Sequence, residues 1–368
     1  MFLALRELKH AKFRYLLIGF IMLLVAWLTF IVSGLANGLA LDNASALKNM
    51  NGDYFVLQDN ADQKLARSSI PTDTLDEISK QDGVKEATPL AQTTTSFTQT
   101  GKDKKVDVTI FGIDPKSMIM PNISEGRGIA NLGKNEVVVD ESLKEKNGIA
   151  IGDTLENKDT GVSVTVVGFA KGQTFSHMPV LYTDTDSLNN IMKSTGRQQK
   201  PSYNAIVVKG TKDAQTSLEK NVSHISVLTK DQAVQGIPGY KEEQGSLTMM
   251  ITFLIVIAAF VQAVFFYVIT LQKTNQFGVL KAIGAKTSYL AKNLISQVLI
   301  LAITAVGISI ALTFGVSALF PAGMPFDLGI DVMLKYSALL IVVAVIGALL
   351  SLQQIAKIDA VTAIGRAE

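Results

Sequence analysis

The sequence predicts an α+β membrane protein in which four transmembrane helices, one before and three after, flank a large mixed α+β extracellular domain. Three observations predict it. Apolar residues are segregated into charge-free runs at 15–41, 244–272, 293–326 and 336–356, each at least the roughly 20 residues needed to cross a hydrocarbon core of about 30 Å. Between the first two runs lies a long polar, mixed-charge segment studded with short β-branched stretches. The Lys and Arg residues that flank the runs all fall on one side of a four-span layout.

Composition agrees. With 48% hydrophobic and 18% charged residues, the chain is too apolar for an ordinary soluble enzyme and too charged to lie wholly in lipid. The formal net charge of +2 comes with no basic face interleaved with aromatics, which excludes a nucleic-acid partner. Cysteine is absent, and a domain of this size buries enough surface to fold without disulfides.

Taken in order, residues 1–14 set Phe2, Leu5, Leu8 and Phe13 on one side, the pattern of a cytoplasmic amphipathic helix lying in the interface. Residues 15–41 form the first transmembrane helix. A cleaved signal peptide is the alternative, but its apolar core is about 7–15 residues and this run is far longer. Small residues at Gly19, Ala26 and Ser33 recur every seventh position, and Gly34 and Gly38 form a small-xxx-small pair. Such a stripe lets helix backbones approach closely, either at a dimer seam or within one chain. Residues 42–246 form the extracellular α+β domain in two lobes. Strands are expected at 53–57, 106–113, 136–139, 162–167, 180–182, 205–208 and 225–228, and helices at 72–81, 142–147, 187–195 and 214–221.

The second transmembrane helix spans 247–272 and carries Ala259, Gln262 and Ala263; a buried amide there is expected to bond across helices. A loop follows at 273–292, with Phe277, Leu280, Ile283 and Gly284 at helical spacing. The third helix covers 293–320. Pro321, Gly323 and Pro325 mark a turn on the far side at 321–335, the fourth helix covers 336–356, and 357–368 is a tail. Arg6, Lys9, Lys12 and Arg14 precede the first span, Lys273, Lys281, Lys286 and Lys292 sit in the loop, and Lys357 and Arg366 follow the last span. The positive-inside rule therefore puts both termini and the loop in the cytoplasm, and the large domain outside.

Catalytic machinery is not expected. Gly128 to Asn135 approaches a phosphate-binding loop, but Asn135 stands where Ser or Thr holds magnesium and no hydrophobic strand leads into it; a glycine-rich turn is the better reading. His10, His177 and His224 are isolated and lack metal-ligand spacing, so no metal site is expected.

Three segments carry a resemblance. Gln272-Lys-Thr-Asn-Gln-Phe-Gly-Val-Leu-Lys-Ala-Ile-Gly-Ala resembles the loop of macrolide-exporter-like and FtsX-like ABC transporter permeases, with Gln276 and Phe277 departing from its usual acidic-aliphatic pair. Lys357-Ile-Asp-Ala-Val-Thr-Ala-Ile-Gly-Arg resembles their tail, with Ile358 where Pro is common. Glu136 to Asp140, Gly152-Asp-Thr-Leu and Val166-Val-Gly-Phe resemble their outer-domain core. The first fifteen residues, Gly34 to Asn43 and Ile237 to Thr248 are similar to hemin-exporting permeases of Gram-positive bacteria.

The resemblance implies a homodimeric permease in the cell membrane, working with two copies of a separate ATPase subunit that binds the ATP. The loop would dock on that subunit through Phe277, Gly278, Leu280, Lys281, Ile283 and Gly284, and the small residues of the first span are candidates for the dimer interface. Hydrolysis would drive the first two spans, and the outer domain with them, by mechanotransmission. No intrinsic cofactor is implied; heme is the transported substrate. Its candidate contacts are Tyr240, Phe175, His177, Met178, Met249 and Met250, since Tyr, His and Met side chains can ligate heme iron. Rival readings are an exporter of antibiotics, peptides or lipophilic toxins, and an FtsX-like signal transmitter that activates an extracellular hydrolase.

Overall fold

The computed structural model describes residues 12–101, 104–130, 134–193, 202–321 and 323–356. The interfacial segment expected at the N-terminus, apart from its last residues, and the tail after 356 lie outside the described residues. The chain forms two compact units: Leu39–Gln244 with Ala322–Pro325, and the remainder.

Helix α1 runs Lys12–Asn49 without interruption, 38 residues or about 57 Å at 1.5 Å per residue, so it exceeds the expected span at both ends. It contains no proline and is rich in Leu and Ala; within lipid a helix satisfies every backbone group internally.

The outer unit follows as β1 (Tyr54–Gln58), β2 (Ile70–Pro71), α2 (Thr74–Ser79), β3 (Val84–Gln99), β4 (Lys105–Ile113), β5 (Ile123–Gly126), β6 (Glu136–Asp140), α3 (Ser142–Asn147), β7 (Thr154–Glu156), β8 (Ser163–Ala170), β9 (Thr174–Phe175), β10 (Met178–Asp184), α4 (Thr185–Lys193), β11 (Ser202–Tyr203), β12 (Ala205–Gly210), α5 (Lys212–Asn221), β13 (Ile225–Thr229) and α6 (Lys230–Gln235). Its main sheet has the order β13-β1-β12-β3-β4-β10-β6-β8-β5. β3 joins two lobes. Its first half pairs with β12, Leu90 opposite Ala205, and its second half with β4, Thr98 opposite Lys105. One lobe buries Val56, Ile206 and Val208 with Ile78 of α2 and Leu218 of α5. The other buries Ile110, Val139 and Val166 with Leu143 of α3 and Leu188 of α4. A third cluster gathers Ala44 and Leu47 at the end of α1 with Phe55, Phe111, Val207 and Val234 of α6. A capping box between Thr229 and Gln232 starts α6, satisfying two orphan N–H groups reciprocally.

The 16-residue strand β3 is not among the expected strands. Its second half includes the polar run Thr93-Thr94-Thr95-Ser96, but β-branched Thr suits a pleated, half-buried surface and β4 supplies the partner.

In the other unit, α7 covers Tyr240–Gln272, α8 Thr274–Ala282, α9 Thr287–Ser317 and α10 Ile330–Ala356. Among the described residues, α1, α7, α9 and α10 are the helices long and apolar enough to cross a membrane. The start of α9 at Thr287 shifts the expected boundary by one and a half turns, placing Lys292 within the helix rather than in the loop.

Candidate functional site

The segment between α7 and α9 is built on Phe277. It leaves α8 on the inner side, is 2% exposed, and packs with Leu290 and Leu294 of α9, with Leu280 partly buried beside them. Gly278 is buried as well. α8 ends in a tight turn: Gly284 has φ +97°, its N–H donates to the Lys281 carbonyl at 3.0 Å, and Ala285 N–H donates to the Leu280 carbonyl at 2.9 Å. A side chain at this positive φ is strained. The turn corrects the single-face expectation for the loop. Phe277 and Leu280 point inward, whereas Ile283 is 76% exposed. With Leu280, Gly284, Lys286, Tyr289 and Lys292, Ile283 lines a shallow surface groove of about 580 Å³. An apolar floor with a basic rim is the chemistry of a docking surface for an acidic, amphipathic partner segment.

Immediately before α8, three helices are tied together by polar groups. The Tyr15 hydroxyl of α1 donates to Gln297 Oε1 of α9 at 2.7 Å. Lys273 Nζ, at the end of α7, donates to the Tyr15 hydroxyl at 2.8 Å and lies 3.5 Å from Gln297 Oε1. All three side chains are buried. Buried hydrogen bonds of this kind are costly to break singly, because each partner left behind is desolvated. In the sequence Lys273 is a flanking charge and Tyr15 and Gln297 lie in the spans; their meeting is a tertiary fact. Thr270 and Ser351 add a hydroxyl contact between α7 and α10 at 3.3 Å. Gln262, by contrast, is buried with its Oε1 unbonded, contrary to the expected cross-helix bond, and it borders a small void lined by Met22, Ala26 and Leu340.

The small-residue stripe of α1 is used within the chain. Gly19 faces Leu301 of α9, and Ala26 packs with Phe30, Val306 and Leu340. Ser33, Gly34 and Gly38 are buried. Any side chain at Gly34 would collide with the Phe326 ring, and the Gly34 carbonyl accepts from Asp327 N–H at 2.9 Å. Of the two uses expected for the stripe, the protomer displays the one within the chain: its close approach packs the protomer's own helices. What α1 and α7 leave exposed is a large apolar stripe on each, Phe13, Leu17, Phe20 and Leu24 on α1, and Met249, Phe253, Phe260 and Val264 on α7.

The outer candidates separate by environment. Phe175 is 4% exposed and meets Phe111 edge-on at 5.5 Å; it is a core residue, which corrects its reading as a substrate contact. Met178 opens β10, partly buried. Tyr240 is partly buried at the start of α7, with Lys48 Nζ 5.4 Å from its ring centroid. His177 bridges two carboxylates: Nδ1 is 2.8 Å from Asp42 of α1 and Nε2 is 3.4 Å from Glu243 of α7. Asn43 Nδ2 donates to the same Glu243 at 2.9 Å. His177 and Ser176 adopt positive φ, 60° and 52°, so this turn is held in a conformation non-glycine residues adopt rarely. Met249 and Met250 are exposed on α7. His224 is a surface group 3.6 Å from Asp59.

The glycine-rich turn is structural. Arg127 makes two 2.8 Å bonds to the Glu136 carboxylate, and Ala130 N–H donates to it at 3.0 Å. The place where a phosphate would lie in a nucleotide loop is thus served by the chain's own carboxylate. Residues 131–133 lie outside the described residues. Among the described residues no group of His, Cys, Asp or Glu is arranged to hold a metal ion.

These elements define a class: a polytopic membrane permease with an extracellular domain carried between its first two spans. Comparison with known proteins supplies the family. Residues 18–225 match the MacB-like periplasmic core domain, and residues 248–360 match the FtsX-like permease C-terminal domain. The chain is 31% identical over 366 residues, covering 99% of both chains, to a Staphylococcus epidermidis protein that carries the name hemin transport system permease protein HrtB. It is 32% identical to its namesake in Staphylococcus haemolyticus, covering 100% of this chain and 99% of that one. An ABC transporter permease of Mycobacterium tuberculosis is 24% identical over 99% of both chains. The chain belongs to the MacB- and FtsX-like family of ABC transporter permeases.

Proposed function

We propose that this permease exports hemin, relieving the cell of its toxicity, as the membrane subunit of an ABC efflux transporter. The observation that carries the reading is the 31% identity along essentially the whole chain to permeases named for hemin transport. The permease carries out no hydrolysis itself. ATP is bound and hydrolysed by two copies of a separate ATPase subunit, which seats on the groove around Ile283, Gly284 and Lys286, with Lys281 and Gly278 shaping the helix that presents it. The cytoplasmic side holds both termini. The buried Lys273–Tyr15–Gln297 junction supports this reading, because it links the base of α8 to α1 and α9: a push on α8 is then passed to the helices rather than absorbed by a slack loop.

Two permease copies complete the transporter. With the small-residue stripe covered inside the protomer, that pairing is assigned to the exposed stripes of α1 and α7, the two helices that flank the outer domain. Among the substrate candidates, His177 is supported by its exposure in the turn between β9 and β10, Tyr240 by its place at the start of α7, and Met249 and Met250 by their exposure on α7. The same mechanics would also serve export of peptides or antibiotics, or activation of an extracellular hydrolase. Cells lacking the gene are expected to lose tolerance to hemin and to accumulate it, and re-expression to restore both. Equal growth and equal intracellular hemin in the two strains would remove hemin as the cargo.

A further inference from the structure

One cavity of the outer unit has no part in the coupling machinery. Its volume of about 680 Å³ lies within the 300–1,000 Å³ typical of small-molecule sites. It opens between the C-terminal end of α1, the loop from β4 to β5, and the segment joining β8 to β9. Three of the chain's 11 methionines, Met50, Met118 and Met120, line it. Thioether side chains are unbranched and polarizable, and they fit themselves to flat, irregular apolar ligands.

The electrostatics of the lining are as specific. No Asp or Glu contributes to it, and its one charged residue is Lys171. Among the described residues the Lys171 ammonium has no hydrogen-bond or ion-pair partner. The neutral polar groups around it are mostly amides, including Asn122 and Asn49, the latter held by a 3.0 Å bond from its Nδ2 to the Gly172 carbonyl, together with the hydroxyls of Ser124 and Tyr182. On the floor, Tyr182 donates to Gln173 Oε1 at 2.6 Å, so these two polar groups satisfy each other. A cavity with an apolar, sulfur-rich wall, amide donors and a single unpaired cation selects an apolar ligand that bears a carboxylate.

We propose that this cavity is a binding site for a flat, carboxylate-bearing amphipath and, on the reading that hemin is the cargo, that it receives hemin, with a propionate toward Lys171 and the macrocycle against Met50, Met118 and Met120. The thioethers are neutral soft donors able to face the iron. Because Asn49 is the last residue of α1, the occupant sits against the end of a helix the transporter moves.

The test uses the full permease–ATPase complex in nanodiscs, titrated with hemin and, separately, with iron-free protoporphyrin. Two variants avoid disturbing the fold: Lys171→Glu alters an exposed side chain, and Met118→Leu with Met120→Leu conserves volume. Lys171→Glu is expected to weaken both porphyrins about tenfold, since a like charge now opposes the carboxylate. The double leucine variant is expected to shift the Soret band of bound hemin while leaving protoporphyrin affinity within about twofold. Cells carrying Lys171→Glu should show reduced hemin tolerance at equal expression. Wild-type affinity, wild-type Soret band and wild-type tolerance in both variants would overturn the cavity while leaving hemin export standing. A wild-type complex that confers tolerance but binds neither porphyrin overturns the cavity alone; one that neither confers tolerance nor binds hemin overturns both.

Discussion

Tyr182 shows at the scale of one residue how the outer unit holds a polar group in its core. Its ring meets Phe111 edge-on at 5.7 Å, and its hydroxyl is bonded to Gln173. Burial, with a smaller contribution from the Asp140 charge, pushes the phenol well above its ordinary value of 10.0. The sign follows from linkage. Above pH 10 the unfolded phenol loses its proton while the folded one keeps it, so the folded state binds more protons and stability falls as pH rises. Tyr182→Phe is expected to cost about 1 kcal/mol at neutral pH through the lost hydrogen bond, and to flatten the loss of stability above pH 10. Thermal unfolding of both proteins at pH 8 and pH 11 checks it; a parallel alkaline decline in the variant would contradict it. Nothing in the sequence around Tyr182 sets it apart from the chain's other seven tyrosines, because its environment joins nearby Gln173 to Phe111 and Asp140 from other strands.

At the scale of an element, α8 carries two kinds of apolar residue that the sequence cannot tell apart. Phe277 and Ile283 both suit one helical stripe, but the Gly284 turn ends the helix at Ala282 and turns Ile283 outward. Their substitutions should therefore fail differently. Phe277→Ala is expected to destabilise the protein by about 3 kcal/mol, as emptied core sites do, lowering its melting temperature. Ile283→Asp is expected to leave melting unchanged while abolishing copurification of the ATPase subunit, because it puts an acidic charge on the proposed docking groove. Normal copurification with Ile283→Asp would remove the groove as the docking site.

At the scale of the whole molecule, the proposed dimer needs a helix surface that the protomer does not itself cover. The stripe of small residues on α1 packs against α9, α10 and the Phe326 loop, and the proposed pairing uses the exposed faces of α1 and α7. The chain has no cysteine, which makes a single introduced thiol an unambiguous reporter. Phe260→Cys, on the exposed stripe of α7, is expected to cross-link two copies in membranes on oxidation, and Ala26→Cys, buried in the protomer, is not. Cross-linking at position 26 alone would return the seam to the small-residue stripe.

The amino-acid sequence by itself determined the number of spans, the placement of the large domain between the first two, and the family. These depend on runs of like residues and on local motifs, and hydropathy sums over neighbours in the chain. It also made most strands of the outer domain legible, because alternating β-branched runs are local too. The tertiary structure alone decided what each functional candidate touches. It put Phe175 in the core, His177 between Asp42 and Glu243, and Tyr15 against Lys273 and Gln297. It gathered Met50, Met118, Met120 and Lys171 around one cavity. The physical reason is common to all four. Burial and pairing depend on groups brought together across long stretches of chain, and no periodicity in a single segment records its partner.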